Sequence, residues 1–162
     1  MTLDRIVLLS AWLLTIILIV CFIPRSKIRE AQIVFMFKQV LTWPLGVLIV
    51  QFGLIEYPVR EFPQAFHSSF SFDYFIYPAT CVLFVLRFPE GENLLKRVGW
   101  YLLFPSWMTV IEVLIEKYTK LILYVTWHWY WTWFGLMITF FLSRQYYLWF
   151  IKRSKVTIGS ES

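Results

Sequence analysis

"IVLLSAWLLTIILIVCFI", residues 6–23, contains no charged side chain. As a helix rising ~1.5 Å per residue it is about 27 Å long, just enough to cross the hydrocarbon core of a bilayer. A cleavable secretory signal has a shorter apolar core and a small-residue cleavage site. Here "PRSKIRE" follows, so the segment reads as an anchor that stays.

The remainder of the chain agrees. Apolar residues make up 59% of 162, and mean hydropathy is +0.65. An ordinary soluble domain is about 45–50% apolar, and a chain this short has too much surface to hide more. The 21% aromatic content fits membrane interfaces. A net charge of +5 would suggest nucleic acid in a soluble protein, but these basic residues lie in short loops between apolar runs. They therefore read as orientation signals, and no nucleic acid is expected. Cys21 and Cys81 lie in apolar runs without CxxC spacing and read as small buried apolar residues.

Four more apolar segments follow, at about residues 31–54, 73–88, 98–116 and 121–150. The second contains Lys38, Gln39, Pro44 and Gln51, so it cannot face lipid all round; the third is short and carries Pro78; the fourth carries Pro105. Intramembrane prolines are tolerated because neighbouring helices satisfy the freed carbonyls. The expected fold is all-α, a polytopic transmembrane helix bundle of about five spans forming one unit over residues 1–150. A basic tail, 151–162, is expected to be disordered. The loop "EYPVREFPQAFHSSFSF", residues 56–72, is too polar to span and too aromatic to float, so it should lie in the interface or fold back over the bundle. Five spans put nine loop Lys and Arg on one face and four on the other. The positive-inside rule then places the amino terminus outside and the carboxyl terminus in the cytoplasm.

"YVTWHWYWTW", residues 124–133, alternates like a strand, but it leads into a long apolar run, and the chain offers no partner strand to satisfy an open edge in hydrocarbon. A helix is expected. Trp127 and Trp131 then share one face and Trp129 and Trp133 another, about 160° away. His128, Thr132, Gly135, Thr139 and Ser143 form a third face of polar and small residues, with Gly135 a point of close helix packing. Comparable stripes are Gln39, Thr42, Gly46, Gly53 and Glu56; Asp73, Tyr77, Thr80 and Arg87; and Thr109, Glu112, Glu116 and Thr119. The first segment offers only Ser10 and Thr15 and should be peripheral.

Glu56, Asp73, Glu112, Glu116 and His128 all fall at the outer ends of their helices and form the candidate site. Glu112 and Glu116 are one turn apart, and two carboxylates so close in a low dielectric do not easily both ionise. With His128, and with His67 from the Ser-rich loop, they could relay protons or hold a divalent cation. The bland alternative pairs Glu116 with Lys117 or Lys120 and gives Glu112 a hydrogen bond from a facing Tyr or Trp. No metal or cofactor is assigned, because the pair lacks the His–Glu–His pattern of zinc helices. Lys38, Arg87 and Arg144 fall toward the inner ends, where Lys38 should snorkel to the headgroups and all three could contact anionic lipid. There is no GxSxG elbow, P-loop, HExxH or dinucleotide turn, so no catalytic residue is assigned.

The Pro- and Phe-rich loop leading into "FDYFIYPAT", and the later "EKYTKLILYVTWHWYWTW", resemble a family of small, uncharacterised five-helix membrane proteins of spore-forming Gram-positive bacteria. Pro78, Glu112, Tyr124 and Trp127 match its recurring positions. The resemblance implies the fold and a bacterial plasma membrane, with no activity attached. The leading expectation is a multi-pass, non-enzymatic structural component that binds other membrane proteins or itself. The alternative is a small transporter or proton-coupled carrier using the outer Glu/Glu/His site, and a lipid-acting membrane enzyme comes third.

Overall fold

The computed structural model describes residues 3–61, 64 and 67–160, with side chains through Lys152. Helix α1 (Leu3–Phe22) is apolar on every side, and Thr15 is the one residue on it that is buried. Its hydroxyl donates to the Ala11 carbonyl, 2.7 Å away, so it makes no demand on a neighbour. This is the peripheral helix the sequence implied. A short 3₁₀ turn at Arg25–Lys27 leads into α2 (Ile28–Gln51). Four residues of α2, Val34, Lys38, Thr42 and Gly46, are buried. Their spacing of four makes one narrow stripe.

The short third segment is the centre of the bundle. It begins as a π-helical turn, Ser71–Ile76, and continues as α3 (Tyr77–Leu86). Nearly every residue from Pro78 to Val85 is buried, as expected of a helix apolar all round. Helices α1, α2 and α5 (Trp129–Ser160) pack on it. Phe84, at its middle, stacks on Phe140 of α5 with ring centroids 5.0 Å apart, and meets Phe104 of α4 (Leu94–Tyr118) edge-on.

Pro78 explains how the π turn is held. It has no N–H, so it cannot donate to Tyr74 in an α-type bond or to Asp73 in a π-type bond. Side chains of α2 replace both donors. Thr42 Oγ1 donates to the Asp73 carbonyl and Gln39 Nε2 to the Tyr74 carbonyl, each at 2.8 Å. Two residues three apart on α2 thus dock the broken start of the third segment.

The region before α5 differs from the expectation. Leu123–Tyr124 form a strand, β2, pairing antiparallel with β1 (Ile55–Glu56), with Ile55 opposite Tyr124. The Leu54 carbonyl also accepts from the N–H groups of Val125 and Thr126. The missing partner strand lay at the start of the aromatic loop, at Ile55–Glu56. Helix α5 therefore starts at Trp129, not near residue 121, and extends to Ser160, past the boundary expected at 150.

The chain turns at two ends. At the sheet end Asp4 Oδ1 accepts from the Lys120 N–H at 2.9 Å. At the opposite end, the α3–α4 turn, Arg87 donates twice to the Phe22 carbonyl. Three helical stretches, Leu3–Phe22, Arg25–Gln51 and Leu94–Tyr118, are long and apolar enough to cross a membrane. Cys21 is exposed on α1, contrary to expectation, whereas Cys81 is buried in α3.

Candidate functional site

Glu112 lies in the last two turns of α4, pointing into the bundle, and is 6% exposed. Its carboxylate accepts three hydrogen bonds from three different elements. Tyr77 Oη of α3 is 2.5 Å from Oε2, and Tyr124 Oη of β2 is 2.6 Å from Oε1. Thr132 Oγ1, in the first turn of α5, is 2.8 Å from Oε1 and itself accepts from Trp127 Nε1 at 2.8 Å. Bonds to an ionised acceptor are the stronger kind, so Glu112 ties three elements together. Burial, and then the Glu112 charge, push the Tyr124 phenol up, which keeps it a donor.

Asp73 is the second buried carboxylate, 5% exposed, in the π turn. Ser68 lies beside it, but Oδ2 has no hydrogen-bond partner. Its carboxyl group packs against Gly46 of α2, where an added Cβ would stand 2.7 Å from Asp73 Cγ. A glycine is required at 46 because the carboxylate occupies the side-chain space.

Asp73 and Glu112 line one cavity of about 240 Å³ between α2, α3 and α5, beneath the two-stranded sheet. Its walls include Tyr57, Tyr77, Trp127 and Trp131, and among the described residues no Lys, Arg or His lines it. Burial and the two carboxylates push the Tyr57 phenol well above its ordinary value, so this residue is neutral. Gly135 and Leu45 border the cavity and are exposed, which puts its mouth between α5 and α2. A Cβ on Gly135 would meet nothing within 4 Å, so this glycine is not the tight packing point that was expected. Gly46 is.

Thr42 and Thr139 lie at the cavity floor, and Lys38 closes it from below. Lys38 donates to Thr139 Oγ1 and sits over the Phe140 ring, 4.5 Å from its centroid. It is wholly buried and does not snorkel. Ten residues into α2, it lies about 15 Å from the helix start, and its ammonium turns to α5 rather than along the helix. Arg144 is also buried, 3.4 Å from the Phe88 ring centroid, with Nη2 3.1 Å from Glu90 Oε1. Of the three expected lipid contacts, only Arg87 is exposed.

Of the five expected site residues, the structure brings Asp73 and Glu112 to one cavity. Glu56 is exposed on β1, and Glu116 makes no ion pair among the described residues. His128 is exposed, stacked on Tyr130 at 5.3 Å. Because α5 begins one residue later, His128 is outside the helix and loses its register with Thr132; the Trp127 indole reaches Thr132 instead. His67 is exposed on the loop. Tyr57 and the floor role of Lys38 went unread in the sequence. The one local signal for Lys38 was its i, i+4 spacing to Thr42 and Gly46. Among the described residues no group of three or more His, Cys, Asp or Glu could hold a metal ion.

Comparison with protein-family models, curated proteins and solved structures finds no match, and none of the three supports the family resemblance.

Proposed function

We propose that this is a multi-pass protein of the cell membrane that holds a small polar solute in the cavity between Asp73 and Glu112, as a small carrier does. The five helices serve as five spans, with α3 and its π turn as the central one. The loop-charge bias favours an external sheet end, which would set the cavity in the outer part of the bundle. One observation carries the reading: a carboxylate oxygen with no partner, on a residue lining a cavity in a membrane bundle. Unpaired buried polar groups are costly in so apolar a setting, and ionisable residues inside membrane segments are functional candidates by default. A purely structural bundle would gain by filling this space. The layer below, Lys38 with Phe140 and Phe84, closes the far side, as a carrier loaded from one face requires.

Water access to the cavity tests this. In a chain with Cys21→Ala and Cys81→Ala, Gly135→Cys puts a thiol at the mouth without a clash. A charged, membrane-impermeant methanethiosulfonate added to whole cells should label it. The same thiol at Ile138, an exposed apolar position that does not line the cavity, should label far more slowly. Equal, slow labelling at both would mean that the space is dry, and the solute reading would fall.

A further inference from the structure

Resting on the proposal that the cavity takes a solute, we infer that the solute is a small primary alkylammonium ion, bound by Asp73 with Glu112 as the second charge and the aromatic rings as walls. Four observations converge. First, Asp73 Oδ2 lacks a hydrogen-bond donor, and an ionised carboxylate only accepts, so the missing group must carry N–H or O–H. Second, Glu112 is already served by three donors. It needs no further proton donor, but its negative charge still acts on the cavity.

Third, charge selects the sign. Among the described residues no basic side chain lines the cavity. Two carboxyl groups line it, and Asp73 has an oxygen without a donor, so a monovalent cation would pair with Asp73 in its ionised form. An anion would meet repulsion from both acids. Fourth, four rings, Tyr57, Tyr77, Trp127 and Trp131, contribute to the walls, and Trp127 and Trp131 lie 6.5 Å apart between centroids. Aromatic faces attract cations, most strongly where water is excluded. A metal cation fits less well, because two carboxylates alone fall short of the oxygen set that hard cations take.

The volume limits size. About 240 Å³ corresponds to roughly eight waters at ~30 Å³ each. An amine of a few carbons fits, whereas a peptide does not. The mouth lies between α2 and α5, on the side of the bundle, so the ammonium could belong to a free amine or to the headgroup of an ethanolamine phospholipid, with the acyl chains outside the bundle.

The experiment is protection of the thiol of Gly135→Cys, in the Cys21→Ala and Cys81→Ala background, from the methanethiosulfonate. n-Propylammonium should slow labelling about tenfold at roughly ten times its Kd. 1-Propanol, neutral and of similar size, and propionate should not. Tetramethylammonium, charged but without N–H, should protect less. Nanodiscs of phosphatidylethanolamine and of phosphatidylglycerol separate the two sources: slow labelling only in the first, with no effect of free amine, assigns the headgroup. On the otherwise unaltered chain, n-propylammonium should raise Tm, and Asp73→Asn should abolish that rise. Labelling that is fast but unprotected by amine or ethanolamine lipid would overturn the ammonium assignment while leaving the solute cavity intact. Protection by propionate, or a Tm rise that survives Asp73→Asn, would also overturn it. Absence of labelling at 135 would overturn the solute reading instead.

Discussion

At the α3–α4 turn end, each described acidic side chain that reaches the bundle meets a partner from another element. Glu90 takes Arg144, and Glu30 takes the Tyr147 hydroxyl at 2.5 Å. At the sheet end the two buried acids are treated differently from each other. Glu112 has three donors, whereas Asp73 has an oxygen with none. The turn end pairs its acids across elements, although Arg144 Nη1 is itself left without a partner. The sheet end is completed on one side and left open on the other, and the open side lines the cavity. Two buried carboxylates of one cavity thus differ in how fully their oxygens are hydrogen-bonded.

The strongest way to break this contrast is Glu112→Ala. It strips the acceptor from Tyr77, Tyr124 and Thr132 together, and at about 1–3 kcal/mol for each buried donor left unpaired the loss should approach several kcal/mol. Unfolding in mixed micelles should show it, and Asp73→Ala should cost far less in the same assay. Comparable losses would mean that the two acids do the same job.

Gly46→Ala comes next. Its Cβ drives into the Asp73 carboxylate, and overpacking of this kind costs about 1–3 kcal/mol. Combined with Asp73→Ala, most of the cost should vanish, so the double-mutant cycle should show strong coupling. Additive effects would place the Asp73 carboxyl elsewhere. Gln39→Ala, which frees the Tyr74 carbonyl beside Pro78, should lose about 0.5–1.5 kcal/mol. At the turn end, Glu90→Gln should cost under about 1 kcal/mol, because Glu90 is 59% exposed and water screens the pair. The smallest effect is expected at Gly135. Gly135→Ala meets no neighbour and replaces a mid-helix glycine, so folded yield should hold or rise slightly. A clear loss there would restore the close packing that the small-residue stripe suggested.

The amino-acid sequence by itself determined the helical, membrane-compatible class of the molecule and part of the inward face of α2 to α5, though Gly53, Glu56, Arg87, His128 and Gly135 of the expected stripes are exposed. Uncharged apolar length is a local property, and so is helical period. The buried positions Thr42 and Gly46, Asp73 and Thr80, Thr109 and Glu112, and Thr132, Thr139 and Ser143 can therefore be read as stripes before any contact is known. Long-range contacts decided the rest. Whether residues 121–128 are helix or strand turned on Ile55, some seventy residues away in the chain. That pairing moved the start of α5, took His128 off the polar face and gave its place to Trp127. Lys38 is buried because α3 and α5 close over it, a depth that no window on α2 can show. The surroundings of Asp73 depend on Pro78 removing a donor, Thr42 and Gln39 supplying two, and Gly46 making room, none of them donating to Oδ2. Period tells which side chains turn inward; only the packed bundle tells what each of them meets there.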